Sequence, residues 1–114
     1  MILIIGSDSA GKRTYAKTLG YTENDMADGV MDSKPVIYHL EEMVYHNPDS
    51  ALELVPKLLE KEVVICSEVG SGIIPCSAED QYKRRMVGKL CINLAANAQK
   101  VVRVQAGIPI VIKE

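Results

Sequence analysis

Short, wholly apolar runs alternate along the chain with segments whose apolar residues return every three or four positions, the pattern of strands separated by helices. Met1-Ile2-Leu3-Ile4-Ile5 and Val63-Val64-Ile65-Cys66 are apolar throughout and bounded by polar residues, which marks strands covered on both faces. Residues 35–40 read as a further strand, with Pro35 at its start, where no ladder donor is needed. Residues 101–106 predict a fourth strand and 107–112 a fifth at the sheet edge. A helix over 12–19 ends at Gly20, and residues 41–46 make a helical turn or two before Asn47-Pro48. Ala51, Leu52, Leu54, Val55, Leu58 and Leu59 then recur at helical spacing, with Pro56 kinking that helix or dividing it into two short pieces. The longest helix runs over 78–98, preceded by Ser77 or Cys76, with Glu79 and Asp80 in its first turn and Met86, Val87, Leu90, Leu94 and Ala98 as its buried stripe. Residues 21–34 show no period and are rich in turn formers and acid, so they read as a surface loop, long enough to be either mobile or part of a site. The whole predicts one α/β domain over 1–114, a mainly parallel sheet flanked by helices with right-handed crossovers.

Between the first strand and the first helix stands Gly6-Ser7-Asp8-Ser9-Ala10-Gly11-Lys12-Arg13-Thr14. Gly-x-x-x-x-Gly-Lys in the order strand, loop, helix is the spacing of a phosphate-binding loop, so the fold is P-loop NTPase-like and residues 6–14 are the expected nucleotide-binding stretch. Backbone N–H groups would cradle the phosphates of GTP or ATP, and Lys12 would reach the outer ones. The motif asks for Ser or Thr after the lysine, to ligate Mg²⁺; Arg13 stands there, and Thr14 comes one residue, or about 100° of helix, too late. Glu68, after the strand 63–66, is the candidate catalytic and metal-binding acid near Lys12, because ligands of open parallel sheets sit beyond the carboxyl ends of the strands, and a structural hydrogen-bonding role stands as its alternative.

Composition narrows the partners. Thirteen Lys and Arg against fifteen Asp and Glu give a net charge of −2, and with the signs interspersed nucleic acid is not the expected partner. Lys83, Arg84, Arg85 and Lys89 read as the solvated face of the long helix. No apolar run approaches the length of a membrane span, and Met1 leads directly into a strand without a basic leader, so a cytoplasmic protein is expected. Three widely spaced cysteines, Cys66, Cys76 and Cys91, make neither a disulfide framework nor a zinc site. The exposed aliphatic edge expected of so short a sheet points to a homo-oligomer.

At Ser67-Glu68-Val69-Gly70-Ser71-Gly72-Ile73-Ile74-Pro75 the chain resembles the cobinamide kinase/cobinamide-phosphate guanylyltransferase family of cobalamin biosynthesis. That family carries Asn-Glu-Val-Gly-x-Gly-Ile-Val-Pro here, and the likeness continues through Gly88 and Leu94-Ala95-Ala96 to Ala106-Gly107-Ile108-Pro109. With the phosphate loop it covers about two-thirds of the chain, and the Glu-Val-Gly-x-Gly segment is far more specific than the loop alone. The resemblance implies transfer of the γ-phosphoryl group of GTP or ATP, with Mg²⁺, to the aminopropanol hydroxyl of cobinamide, and a tendency to assemble into oligomers. The departures point the other way. The family's middle region, whose histidine becomes guanylylated, shrinks here to residues 21–34 and holds no histidine. Tyr38 and His39 stand where the family has an acid, and Cys91-Ile92 replaces an Asn-Gln pair. His39 and His46 lack the basic neighbours of a guanylyl acceptor. Loss of guanylyl transfer is therefore expected, and a nucleotide-binding accessory or regulatory relative stands as the alternative to a kinase.

Overall fold

The computed structural model describes residues 1–68 and 77–114. The glycine motif of residues 69–75 and Cys76 lie outside the described residues. Six strands form one sheet in the order β2-β3-β4-β1-β5-β6. They are β1 (Ile2–Gly6), β2 (Met26–Asp28), β3 (Val36–Tyr38), β4 (Val63–Ser67), β5 (Lys100–Gln105) and β6 (Ile108–Lys113). All pairings are parallel except that of β5 with β6. The helices are α1 (Lys12–Thr18), α2 (Leu40–His46), α3 (Val55–Leu59) and α4 (Ala78–Asn97), and a 3-10 segment, Pro48–Leu54, leads into α3.

Alternation along the strands sends successive side chains to opposite faces. Leu3, Ile37, Val64, Cys66 and Val101 pack with Leu40 and Val44 of α2, Leu58 of α3, and Leu90 and Leu94 of α4. Ile4, Val36, Val63, Ile65, Val102 and Val104 face the other way, against Ala16 of α1. Every residue of β4 is buried, as its continuous apolar run predicts. The stripe expected on α4 is buried at all five positions, Ala98 lying just beyond the helix end. Ser77 caps α4 by accepting a hydrogen bond from the Asp80 N–H at 3.0 Å. Pro56 falls in the first turn of α3, where its missing donor has no intrahelical partner to lose, so the apolar stretch after Pro48 is indeed two pieces.

Two expectations need correction. Residues 21–34 are not simply a surface loop: a 3-10 turn over Glu23–Asp25, closed by reciprocal Thr22–Asp25 hydrogen bonds, leads into β2. Met26 and Ala27 of β2 are buried, and three residues are too few to show a period. The second predicted strand also stops earlier than residue 40, because His39 adopts a left-handed conformation (φ 55°) and Leu40 opens α2.

β1 lies between β4 and β5, with Gly6 in register with Ser67. From β1 the chain goes to one side for β2 to β4 and to the other for β5 and β6. The carboxyl end of β1 is therefore the point where the winding reverses, the place at which such sheets leave a crevice for a ligand.

Candidate functional site

The loop leaving β1 is shaped by contacts that a larger residue at its first glycine would destroy. A Cβ on Gly6 would lie 2.5 Å from the Val104 carbonyl oxygen, so only glycine lets the loop start this close to β5. Gly11 has φ 95° and Ser9 φ 59°, left-handed positions of the kind that turn successive N–H groups toward one concavity. From outside, the Gly107 N–H donates to the Ala10 carbonyl at 2.9 Å. Ala106 and Gly107, both at positive φ, form the tight turn between β5 and β6, so that hairpin braces the loop.

The loop closes around a cavity of about 380 Å³ lined by Asp8 through Thr14, Lys17, Glu23, Tyr38, His39, Ile65 and Ser67. Gly6 and Ser7 are not among its lining residues; they shape it from behind. The Lys12 ammonium folds back across the loop to donate to the Ser7 carbonyl at 2.6 Å. Arg13 reaches sideways, its guanidinium 4.6 Å from the centre of the Tyr38 ring, a cation–π contact that holds it on the rim. Lys17 is paired with Glu23, and the hydrogen bond from that ammonium, then its charge, keeps the Glu23 carboxyl below its ordinary value.

Of the two roles open to Glu68, the contacts it makes are structural. Its backbone N–H donates to the Gly6 carbonyl at 2.7 Å, so the main chain does run beside the loop. Its carboxylate, however, accepts from Arg103 at 3.1 Å and does not line the cavity. The oxygen groups that do line it, besides the loop backbone, include Asp8 and Ser67, joined by a 3.1 Å hydrogen bond from the Ser67 hydroxyl to the Asp8 carboxylate. Hard oxygen donors of this kind suit Mg²⁺, whereas a guanidinium at position 13 offers no lone pair. Behind them lies a residue that sequence reasoning did not single out: Glu41, buried, accepts the Ser67 N–H at 2.9 Å. An acidic pair after a strand was its only trace.

His39 also lines the cavity, but its Nδ1 lies 2.6 Å from Asp28 and 3.9 Å from Glu42. An imidazole set between carboxylates is poorly placed to receive a phosphorus bearing anionic oxygens. His46, in the last turn of α2, is not among the lining residues.

A sequence model described as cobinamide kinase / cobinamide phosphate guanyltransferase matches residues 23–112. The chain belongs to that family. Membership makes it a relative of the cobinamide kinase and guanylyltransferase enzymes of cobalamin biosynthesis, whose substrates are nucleotides and cobinamide. The match begins after α1, so the loop 6–14 stands outside it, and the case for phosphate there rests on the loop's own geometry. No curated protein matches the chain. Among the described residues no helix is long and apolar enough to cross a membrane.

Proposed function

We propose that the chain binds the polyphosphate of GTP or ATP in the loop cavity and transfers the γ-phosphoryl group to the aminopropanol hydroxyl of cobinamide. The observation that carries this reading is the cavity itself: a glycine loop with Lys12 at its end, at the reversal point of a parallel sheet, in a chain of this family. Phosphoryl transfer asks little covalent chemistry of a protein; it asks for positioning and for charge. The hydroxyl oxygen attacks the γ-phosphorus, the bond to the bridging oxygen breaks, a nucleoside diphosphate leaves, and the hydroxyl proton passes to water. Lys12 turns from the Ser7 carbonyl to the outer phosphates, while Arg13 and Lys17 on the rim add positive charge. Mg²⁺, when bound with the nucleotide, neutralises part of the triphosphate charge; Asp8 and Ser67 are the side chains that would hold it.

A second reading, a nucleotide-binding relative without catalysis, is favoured by the Arg13–Tyr38 contact, which puts a cation and an aromatic ring where a hydroxyl and an acid are expected. Guanylyl transfer through a histidine has no support in the cavity, since His39 is ringed by acid. Incubation of cobinamide with labelled GTP or ATP separates the readings: steady phosphorylation abolished by Lys12→Ala supports the kinase. Saturable binding with no phosphorylated cobinamide leaves the binding relative, and an absence of saturation at millimolar nucleotide in folded protein removes both.

A further inference from the structure

A carboxylate inside an anion cradle is out of place unless a cation stands between it and the ligand. Asp8 lines the loop cavity, where a triphosphate would bring several negative charges to the same few ångströms. Of the three cations lining that cavity, Lys12 is turned to the Ser7 carbonyl, Arg13 lies over Tyr38, and Lys17 is already matched by Glu23. None is paired with Asp8 among the described residues. The partner Asp8 does have is a hydroxyl, that of Ser67, on the last residue of β4.

The usual division of metal ligands in a phosphate-loop site is a hydroxyl from the loop and a carboxylate from the end of a neighbouring strand. Here neither expected position keeps its ligand, since Arg13 follows Lys12 and Tyr38 stands where the acid is expected. The loop contributes a carboxylate, Asp8, and the end of β4, in register with Gly6, contributes a hydroxyl, Ser67. We infer that Asp8 and Ser67 together form the Mg²⁺ site of the bound nucleotide, with the two ligand types exchanged between loop and strand. Arg13 thereby becomes tolerable, since the hydroxyl missing after Lys12 is supplied from across the cavity.

The pair is held in place from behind. Ser67 is more than nine-tenths buried, and its N–H is fixed by the buried carboxylate of Glu41 at 2.9 Å. A short, buried hydroxyl on a fully buried strand has little freedom to leave the cavity, so the hydroxyl and the carboxylate are presented together. A hard cation of this size takes carboxylate and hydroxyl oxygens together with phosphate oxygens and water. Glu68 is outside this arrangement because its carboxylate is engaged by Arg103.

The inference rests on the nucleotide reading, and binding tells the two apart without any assay of transfer. Fluorescent GTP and ATP analogues are titrated into wild-type protein, Asp8→Asn, Ser67→Ala and Glu68→Gln, in EDTA and in millimolar Mg²⁺. Wild type is expected to bind about tenfold more tightly with the metal, and Asp8→Asn to keep less than about a twofold gain. In EDTA, Asp8→Asn should bind at least as tightly as wild type, because a repelling carboxylate has gone; a merely structural role would weaken binding in both conditions. Ser67→Ala should lose part of the gain, and the Mn²⁺ paramagnetic resonance signal of the nucleotide complex should change in both variants. Circular dichroism checks that each is folded. An unaltered metal gain in both variants, no metal gain in wild type, or loss of the gain in Glu68→Gln alone would each overturn the inference. Failure of every protein to bind nucleotide in either condition would instead remove the nucleotide reading on which it stands, and the inference with it.

Discussion

Lys12 and Lys17 are one helical turn and a half apart on α1, and they are spent differently before any ligand arrives. The Lys12 ammonium closes the loop onto the Ser7 carbonyl, an uncharged partner that a phosphate readily replaces. Lys12→Ala is therefore expected to weaken nucleotide binding by about tenfold or more, and by more than Arg13→Ser, whose side chain rests on Tyr38 at the rim; titration of both variants tests the order. Lys17 is held by Glu23, an exposed carboxylate at the cavity mouth. Glu23→Gln should free that ammonium and tighten nucleotide binding by about two- to fivefold at low salt, an effect that fades as the ionic strength approaches 1 M. Away from the site, the hydrogen bond to Cys91 and then burial push the Cys66 thiol well above its usual range. It stays neutral at pH 8, so alkylation of Cys66 should be very slow in folded protein and become rapid on unfolding, as peptide mapping would show.

At the scale of elements, α4 is the largest helix and its amino end depends on one side chain. The Ser77 hydroxyl accepts the Asp80 N–H, and Ser77→Ala should cost about 1 kcal/mol of stability, read as a lower urea midpoint with an unchanged slope. Within the basic run on α4, Lys83 pairs with Glu79 and Arg84 with Asp80 one turn away, and solvent-facing pairs of this kind contribute little. The opposite edge of the sheet is less well protected. All six residues of β6 are exposed, among them Ile108, Ile110, Val111 and Ile112, and among the described residues β6 has a sheet neighbour on one side alone. An apolar strand with a free ladder edge is suited to pairing with the same strand of a second copy. Ile110→Lys with Ile112→Lys should therefore dissociate the expected homo-oligomer, and a single 12.5 kDa species for wild type in light scattering at tens of micromolar would refute that expectation.

Over the whole molecule, one sheet positions everything the site uses: the loop follows its central strand, Ser67 ends the next strand, and the β5–β6 turn braces the loop from the far side. The α/β class, the covered strands and the buried stripe of α4 were legible because they depend on local periodicity, which the order of residues carries by itself. So was the glycine loop between β1 and α1, since Gly6, Gly11 and Lys12 stand at fixed spacing along one stretch of chain. β2 was not legible, because a three-residue strand is defined by its partner β3 and not by its own pattern. Nor was the hydrogen bond between Ser67 and Asp8, fifty-nine positions apart, or the inward turn of Glu41 beside an outward Glu42. For Glu68 the position after β4 left a metal-binding and a structural role open, and its carboxylate pairs with Arg103, a partner brought near by the packing of β5 beside β1. Sequence by itself determined most of the backbone elements and the glycine loop that follows the first strand. Which side chains line the cavity beside that loop was decided by tertiary structure alone, because hydrogen bonds and ion pairs between distant residues depend on distances that no spacing along the chain records.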